Sequence, residues 1–100
     1  MMSDRIWING QTLPMAEAKI GVEDRGFQFA DGVYEVIRLY HGKPFTLREH
    51  LERLGRSAKA LELPVPLDVT ALSAEIGKLV AGSGVRDGMV YLQLTRGVAE

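Results

Sequence analysis

With 100 residues, 46% hydrophobic and 25% charged, the chain has ordinary globular composition and the length for one core. A disordered tail, a collagen-like chain and a coiled-coil rod are excluded. Lys plus Arg is 12 and Asp plus Glu is 13, a net charge of −1 that argues against a dedicated nucleic-acid or anionic-membrane binder. The chain has no cysteine, which removes disulfides, zinc knuckles and thiol nucleophiles. No apolar run reaches the ~18 residues of a membrane span, and Met1-Met2-Ser3-Asp4-Arg5 lacks a signal-peptide apolar region. The expectation is a soluble, cytoplasmic protein.

In chain order, Arg5-Ile6-Trp7-Ile8 followed by Asn9-Gly10 predicts a hairpin, because a type I′ turn needs positive φ at both central residues. The return strand lies near Gln11–Leu13 and ends at Pro14. Ala16 to Val22 fits a short strand or an irregular arm. Glu23 to Gly32 is turn-rich, with Phe27 and Phe29 as apolar anchors. Val33 to Tyr40 is β-branched and aromatic, and predicts a strand. His41-Gly42-Lys43-Pro44 predicts a turn, and Phe45-Thr46-Leu47 a short return strand.

Thr46-Leu47-Arg48-Glu49 matches a capping box, with Thr46 as N-cap and Glu49 three residues on. Leu47, Leu51, Leu54, Ala58 and Leu61 then recur at helical spacing until Leu63-Pro64-Val65-Pro66 breaks the pattern. Asp68 caps a second predicted helix that buries Leu72, Ile76, Leu79 and Val80, and Gly82-Ser83-Gly84 stops it. Met89–Thr95 predicts the last strand. The fold class is α+β: an antiparallel sheet with two helices packed on it.

Three constellations could carry chemistry. Period two sets Tyr34, Val36, Arg38 and Tyr40 on one face of the Val33–Tyr40 strand, and Val33, Glu35, Ile37 and Leu39 on the other. The second face is core apart from Glu35. The first is either a solvated face or a pocket wall for a small anion. On the first helix, with Leu47 at zero, the apolar residues fall within roughly 40° of zero, and His50, Arg53 and Ser57 lie at roughly 300°, 240° and 280°. That flanking stripe is boundary polarity or a cradle for phosphate. Asp24-Arg25-Gly26 with Asp31-Gly32 is turn chemistry in its plain reading. Nucleotide-binding glycine motifs and hydrolase motifs are absent, and His41 and His50 stand too isolated to be metal ligands.

The run Asp24-Arg25-Gly26-Phe27-Gln28-Phe29-Ala30-Asp31-Gly32-Val33-Tyr34-Glu35-Val36 resembles the N-terminal signature of class IV aminotransferases, the pyridoxal-phosphate (PLP) enzymes of fold type IV. Glu49-His50-Leu51-Glu52-Arg53-Leu54 with Ser57-Ala58 is similar to that family's phosphate-binding helix. Tyr91 to Gly97 resembles the strand leading into its substrate loop, and Trp7-Ile8-Asn9-Gly10 its opening hairpin. The likeness spans essentially the whole chain, and the D-amino-acid branch fits best. Ala30 stands where a glycine is frequent. Ile37-Arg38 is shared with branched-chain enzymes.

The resemblance implies that Arg53 binds the PLP phosphate with His50 in support, and that Tyr34, Val36 and Arg38 line the substrate pocket. It implies a homodimer that transfers an amino group between a D-amino acid such as D-alanine and a 2-oxo acid such as 2-oxoglutarate. The alternatives are a branched-chain L-amino-acid aminotransferase and a non-catalytic anion-binding domain. Such transamination needs a Schiff-base lysine. None of Lys19, Lys43, Lys59 and Lys78 sits in a motif resembling the family's, so that lysine is expected beyond Glu100. The carboxylate-binding arginine and histidine of the D-amino-acid branch are expected just after Glu100 too. Residues 1–100 then read as the small N-terminal domain of a longer enzyme, inactive alone.

Overall fold

Asn9 and Gly10 take φ of 49° and 94°, as a type I′ turn demands. They fold β1 (Arg5–Ile8) back on β2 (Gln11–Pro14), with Ile8 opposite Gln11. The computed structural model describes residues 5–99; readings that fall on Met1 to Asp4 and on Glu100 lie outside the described residues. After β2 a 3₁₀ turn spans Met15–Glu17 and the chain runs irregularly to Val22, so the arm prevails over the strand there.

A short helix, α1 (Arg25–Phe29), follows where a plain turn was expected. Asp24 caps it, its carboxylate accepting from the Gly26 N–H at 2.8 Å. Phe27 and Phe29 are 72% and 65% exposed, so they are not the anchors predicted. The segment is held by the Arg25 N–H, which donates to the Gly97 carbonyl at 2.8 Å, and Gly32 allows the close approach that follows, since an added Cβ would stand 2.6 Å from the Leu94 carbonyl oxygen.

β3 (Gly32–Tyr40) is the centre of a three-stranded antiparallel sheet. It pairs with β5 (Gly88–Thr95) from Gly32↔Thr95 to Leu39↔Gly88, and with β4 (Lys43–Pro44) at its end. The hairpin forms its own two-stranded sheet, so there are two antiparallel sheets rather than one. β4 is also earlier and shorter than predicted: Lys43 and Pro44 pair with β3, whereas Phe45 and Thr46 turn toward the next helix.

α2 (Leu47–Ala60) and α3 (Val69–Ser83) pack on the inward face of β3 and β5. Ile37, Leu39, Leu51, Ile76, Val80 and Val90 form one core cluster; Val33, Leu54, Ala58 and Leu63 form a second. Each valine, leucine or isoleucine among them contributes about 1.5–3 kcal/mol by leaving water, and Ala58 less. Leu72 and Leu79 are only half-buried. Asp68 caps α3 by accepting from Ala71 N–H at 2.8 Å, and Gly84 ends it at φ 73°.

Two details of α2 depart from expectation. Thr46 is not a capping-box residue. Its backbone is left-handed at φ 51°, and its hydroxyl donates to the Phe45 carbonyl at 2.7 Å instead of accepting from the helix. Leu61 lies beyond the helix and is 41% exposed. Glu62 at φ 57° turns the chain, Glu62 N–H donates to the Lys59 carbonyl and Leu63 N–H to the Ala58 carbonyl. This Schellman-type end carries Leu63 into the core in Leu61's place.

Candidate functional site

Alternation along β3 decides which side chains meet. Tyr34, Val36, Arg38 and Tyr40 point away from the helices, and Val33, Glu35, Ile37 and Leu39 point toward them. Glu35 is 4% exposed, so the sheet buries a carboxylate directly under α2. Burying an unpaired carboxylate costs several kcal/mol, and the structure meets that cost with partners.

Those partners are two residues of the helix stripe. Arg53 grips Glu35 with a two-point fork: Nε–H donates to Oε2 and Nη2–H to Oε1, both at 2.8 Å. His50 Nδ1–H donates to Oε1 at 2.6 Å. The Arg53 hydrogen bond is the largest influence on the Glu35 carboxyl. Burial works against it and His50 adds to it, and the net result holds the pKa at about 2. The same carboxylate raises the Arg53 pKa.

The site therefore depends on a residue that sequence reasoning set aside. Glu35 stood out as the polar exception on an apolar face, yet His50 and Arg53 lie 15 and 18 residues away along the chain. Two of the three stripe residues, His50 and Arg53, converge on a carboxylate of the chain itself, Glu35.

Above the pair lies an open cleft of about 370 Å³ lined by Tyr34, Glu35, Val36, Arg53 and Ser57. Tyr34 stacks on Tyr91 across the sheet, with ring centroids 5.9 Å apart. Of the residues predicted for one pocket, Tyr34, Val36 and Arg53 line the cleft. Arg38 does not: it stands farther along the same face, with its guanidinium 5.5 Å from the Tyr40 ring centroid. His50 is behind the cleft, on Glu35.

The donor set suits a phosphate monoester. Only two of the five N–H groups of Arg53 are given to Glu35, the side chain is 60% exposed, and Ser57, a residue with a hydroxyl, lines the same cleft. Tyr34 and Val36 wall the other side with one phenol and one apolar surface. None of the four lysines lines it.

Away from the cleft, Arg96 ties three segments together. Its Nε–H donates to Asp31 Oδ2 at 2.6 Å and Nη2–H to the Leu61 carbonyl at 2.8 Å. This fixes the turn before β3 against the exit of β5 and the end of α2. Sequence reading assigned Asp31 to local turn chemistry and saw Arg96 only within a motif.

Comparison with known proteins adds the following. The model of a family described as amino-transferase class IV matches residues 32–100. A D-alanine aminotransferase of Listeria innocua serovar 6a is 48% identical over 94 residues, 94% of this chain and 32% of that protein. A D-alanine aminotransferase of Staphylococcus aureus (strain MSSA476) is 44% identical over 97 residues, 97% of this chain and 34% of that protein. Among solved structures, the branched-chain amino acid aminotransferase from Escherichia coli superposes with a TM-score of 0.88 and 28% identity. The match covers 94% of this chain and 33% of that one. The chain thus spans about a third of the length of the curated relatives it matches.

Proposed function

Since this chain belongs to the amino-transferase class IV family, we propose that it is the small N-terminal domain of a PLP-dependent aminotransferase acting on D-amino acids. The reaction moves an amino group between a D-amino acid such as D-alanine and a 2-oxo acid such as 2-oxoglutarate. One observation carries the reading: a cleft lined by Arg53 and Ser57 on one side and by Tyr34 and Val36 on the other, with Arg53 keeping N–H groups that Glu35 does not take.

Each residue has a task there. Arg53 and Ser57 hold the cofactor's phosphate through charge-assisted and hydroxyl hydrogen bonds, with His50 bracing the arginine through Glu35. Tyr34, kept upright by Tyr91, offers its phenol to the substrate carboxylate. Val36 would line the same pocket with an apolar surface. Arg38, which the resemblance puts in the substrate pocket, stands outside this cleft beside Tyr40 and has no task in it. When bound, PLP supplies the electron sink for the carbanion chemistry; the proton-transferring lysine belongs to a larger second domain. The assembly is a homodimer.

The curated relatives named above favour the D-amino-acid reading. A second reading, a branched-chain L-amino-acid aminotransferase, is favoured by the superposition on the Escherichia coli enzyme and by Arg38. Initial rates of the full-length enzyme with D-alanine and with L-leucine, 2-oxoglutarate as acceptor, separate them. The expected winner is D-alanine. A tenfold advantage for L-leucine, about 1.4 kcal/mol in transition-state discrimination, replaces it with the branched-chain reading. The phosphate assignment has its own check. Arg53→Ala should weaken PLP binding about 10- to 150-fold in a titration, from the roughly 1.5–3 kcal/mol of a hydrogen bond to a charged group.

A further inference from the structure

Glu35 is the single buried charged side chain among the described residues, and it stands on the central strand between Val33 and Ile37. Core packing does not require it. Replacing a whole buried ion pair by well-packed apolar residues is often neutral or stabilising, so packing alone does not call for a charge here. A carboxylate kept at such a place points to a task other than filling volume.

The geometry indicates the task. Arg53 is a long surface side chain, 60% exposed, that would sample many rotamers if left alone. The Glu35 fork fixes the plane of its guanidinium, because two parallel N–H···O bonds leave it no free rotation. His50, one helical turn earlier, binds the same carboxylate and keeps that carboxylate from swinging. Glu35 also sits between Tyr34 and Val36 in the chain, and all three border the cleft. One tripeptide of β3 therefore sets both the wall of the cleft and the angle at which the arginine meets it.

We propose that Glu35 is a positioning residue for the phosphate site. It holds Arg53 in the orientation whose unpaired N–H groups face a phosphate monoester beside Tyr34 and Val36. The proposal rests on the Arg53 reading given above. The opposite possibility is a Glu35 that competes with phosphate for the same arginine. The two differ in sign: a positioning carboxylate strengthens cofactor binding, and a competing one weakens it.

The test uses the full-length protein and needs no turnover. PLP is titrated into wild type, Glu35→Gln, Arg53→Ala and the double variant, following the cofactor's visible circular dichroism, with thermal unfolding measured alongside. Glu35→Gln should weaken PLP binding about 3- to 10-fold, the scale of one rotamer-rich side chain no longer held in place. In the Arg53→Ala background the same change should alter affinity by less than about twofold, since contacts that act through one another do not add. Glu35→Met carries the same test on an apolar side chain should the glutamine variant fold poorly, and should lose affinity by a similar factor when titrated below its own unfolding temperature. Unchanged or tighter binding by the Glu35 variants, while Arg53→Ala weakens it, overturns the positioning role alone. A Glu35 effect that persists undiminished without Arg53 overturns it as well, by showing general disruption. If Arg53→Ala leaves affinity untouched, the phosphate reading falls and this proposal falls with it.

Discussion

Helices α2 and α3 are nearly equal in length, 14 and 15 residues, and pack on the same face of one sheet, yet they differ in what their polar flanks do. On α3, Lys78 pairs with Glu75 at 3.1 Å, and Glu75 also accepts from the Trp7 indole at 3.3 Å. Those charges close on each other and on the β1–β2 hairpin. On α2, His50 and Arg53 reach off the helix to a buried strand carboxylate, and Arg53 keeps donors to spare. A polar stripe on a helix is therefore not a site in itself. It becomes one where the element opposite supplies a fixed charge and an open cleft.

The contrast breaks most sharply in the core. Ile76 of α3 is 7% exposed and belongs to the cluster with Ile37 and Leu51. Ile76→Ala should cost about 2–5 kcal/mol of stability by lost burial and a residual cavity. Because α3 does not border the cleft, PLP affinity of the folded protein should stay within about twofold. Denaturant midpoints and a cofactor titration check both halves. A large affinity loss would mean that α3 shapes the site after all.

Acid is the next lever. The Glu35 carboxyl is held at about 2 rather than the ordinary 4.5, mainly by the Arg53 hydrogen bond, with burial opposing. Its native pKa is depressed, so its contribution is complete above about pH 4.5 and is lost as pH falls from there toward 2. A shift of that size corresponds to on the order of 3 kcal/mol at most, and less in practice because Arg53 is largely solvent-exposed. On α3, Lys78 first and Trp7 second lower the Glu75 pKa, but the Lys78 partner is largely exposed to solvent and the pair should contribute little. Stability measured between pH 5 and 2 should therefore fall less steeply in Glu35→Gln than in wild type. Equal slopes would place the acid sensitivity elsewhere.

How much of this could be read from the sequence depended on range. The Asn9-Gly10 turn, the two faces of β3 and the Asp68 cap are local, set by φ preference, by period two and by one side chain reaching its own backbone. The stripe of His50, Arg53 and Ser57 was legible for the same reason. Its target was not, because no local rule connects a strand residue to a helix 15 to 18 residues on. α1 escaped because five residues are too few for a periodic signal, and its aromatics face outward. Arg38 was assigned to the pocket by the resemblance, and strand alternation agreed because it sets the face but not the position along it. Two residues of strand advance about 6–7 Å, enough to carry its side chain past the cleft that Val36 still borders.

The smallest effects concern how the two helices begin. Asp68 satisfies the Ala71 N–H, so Asp68→Ala should cost about 1 kcal/mol. Thr46 precedes α2 at the corresponding position, and a capping box would make Thr46→Ala just as costly. In the structure the left-handed backbone turns its hydroxyl onto the Phe45 carbonyl, at an exposed site where water competes for the same bond. Its backbone carbonyl alone begins the helix, accepting from His50 N–H at 3.1 Å, and alanine keeps that bond. A β-branched residue is also poorly suited to positive φ, so alanine relieves some crowding while gaining none of glycine's freedom. Thr46→Ala should therefore change stability by no more than about 0.5 kcal/mol, half of the Asp68→Ala loss. Paired denaturation curves decide it: equal losses at the two positions would restore Thr46 as a cap, and a negligible one leaves α2 begun by its backbone alone.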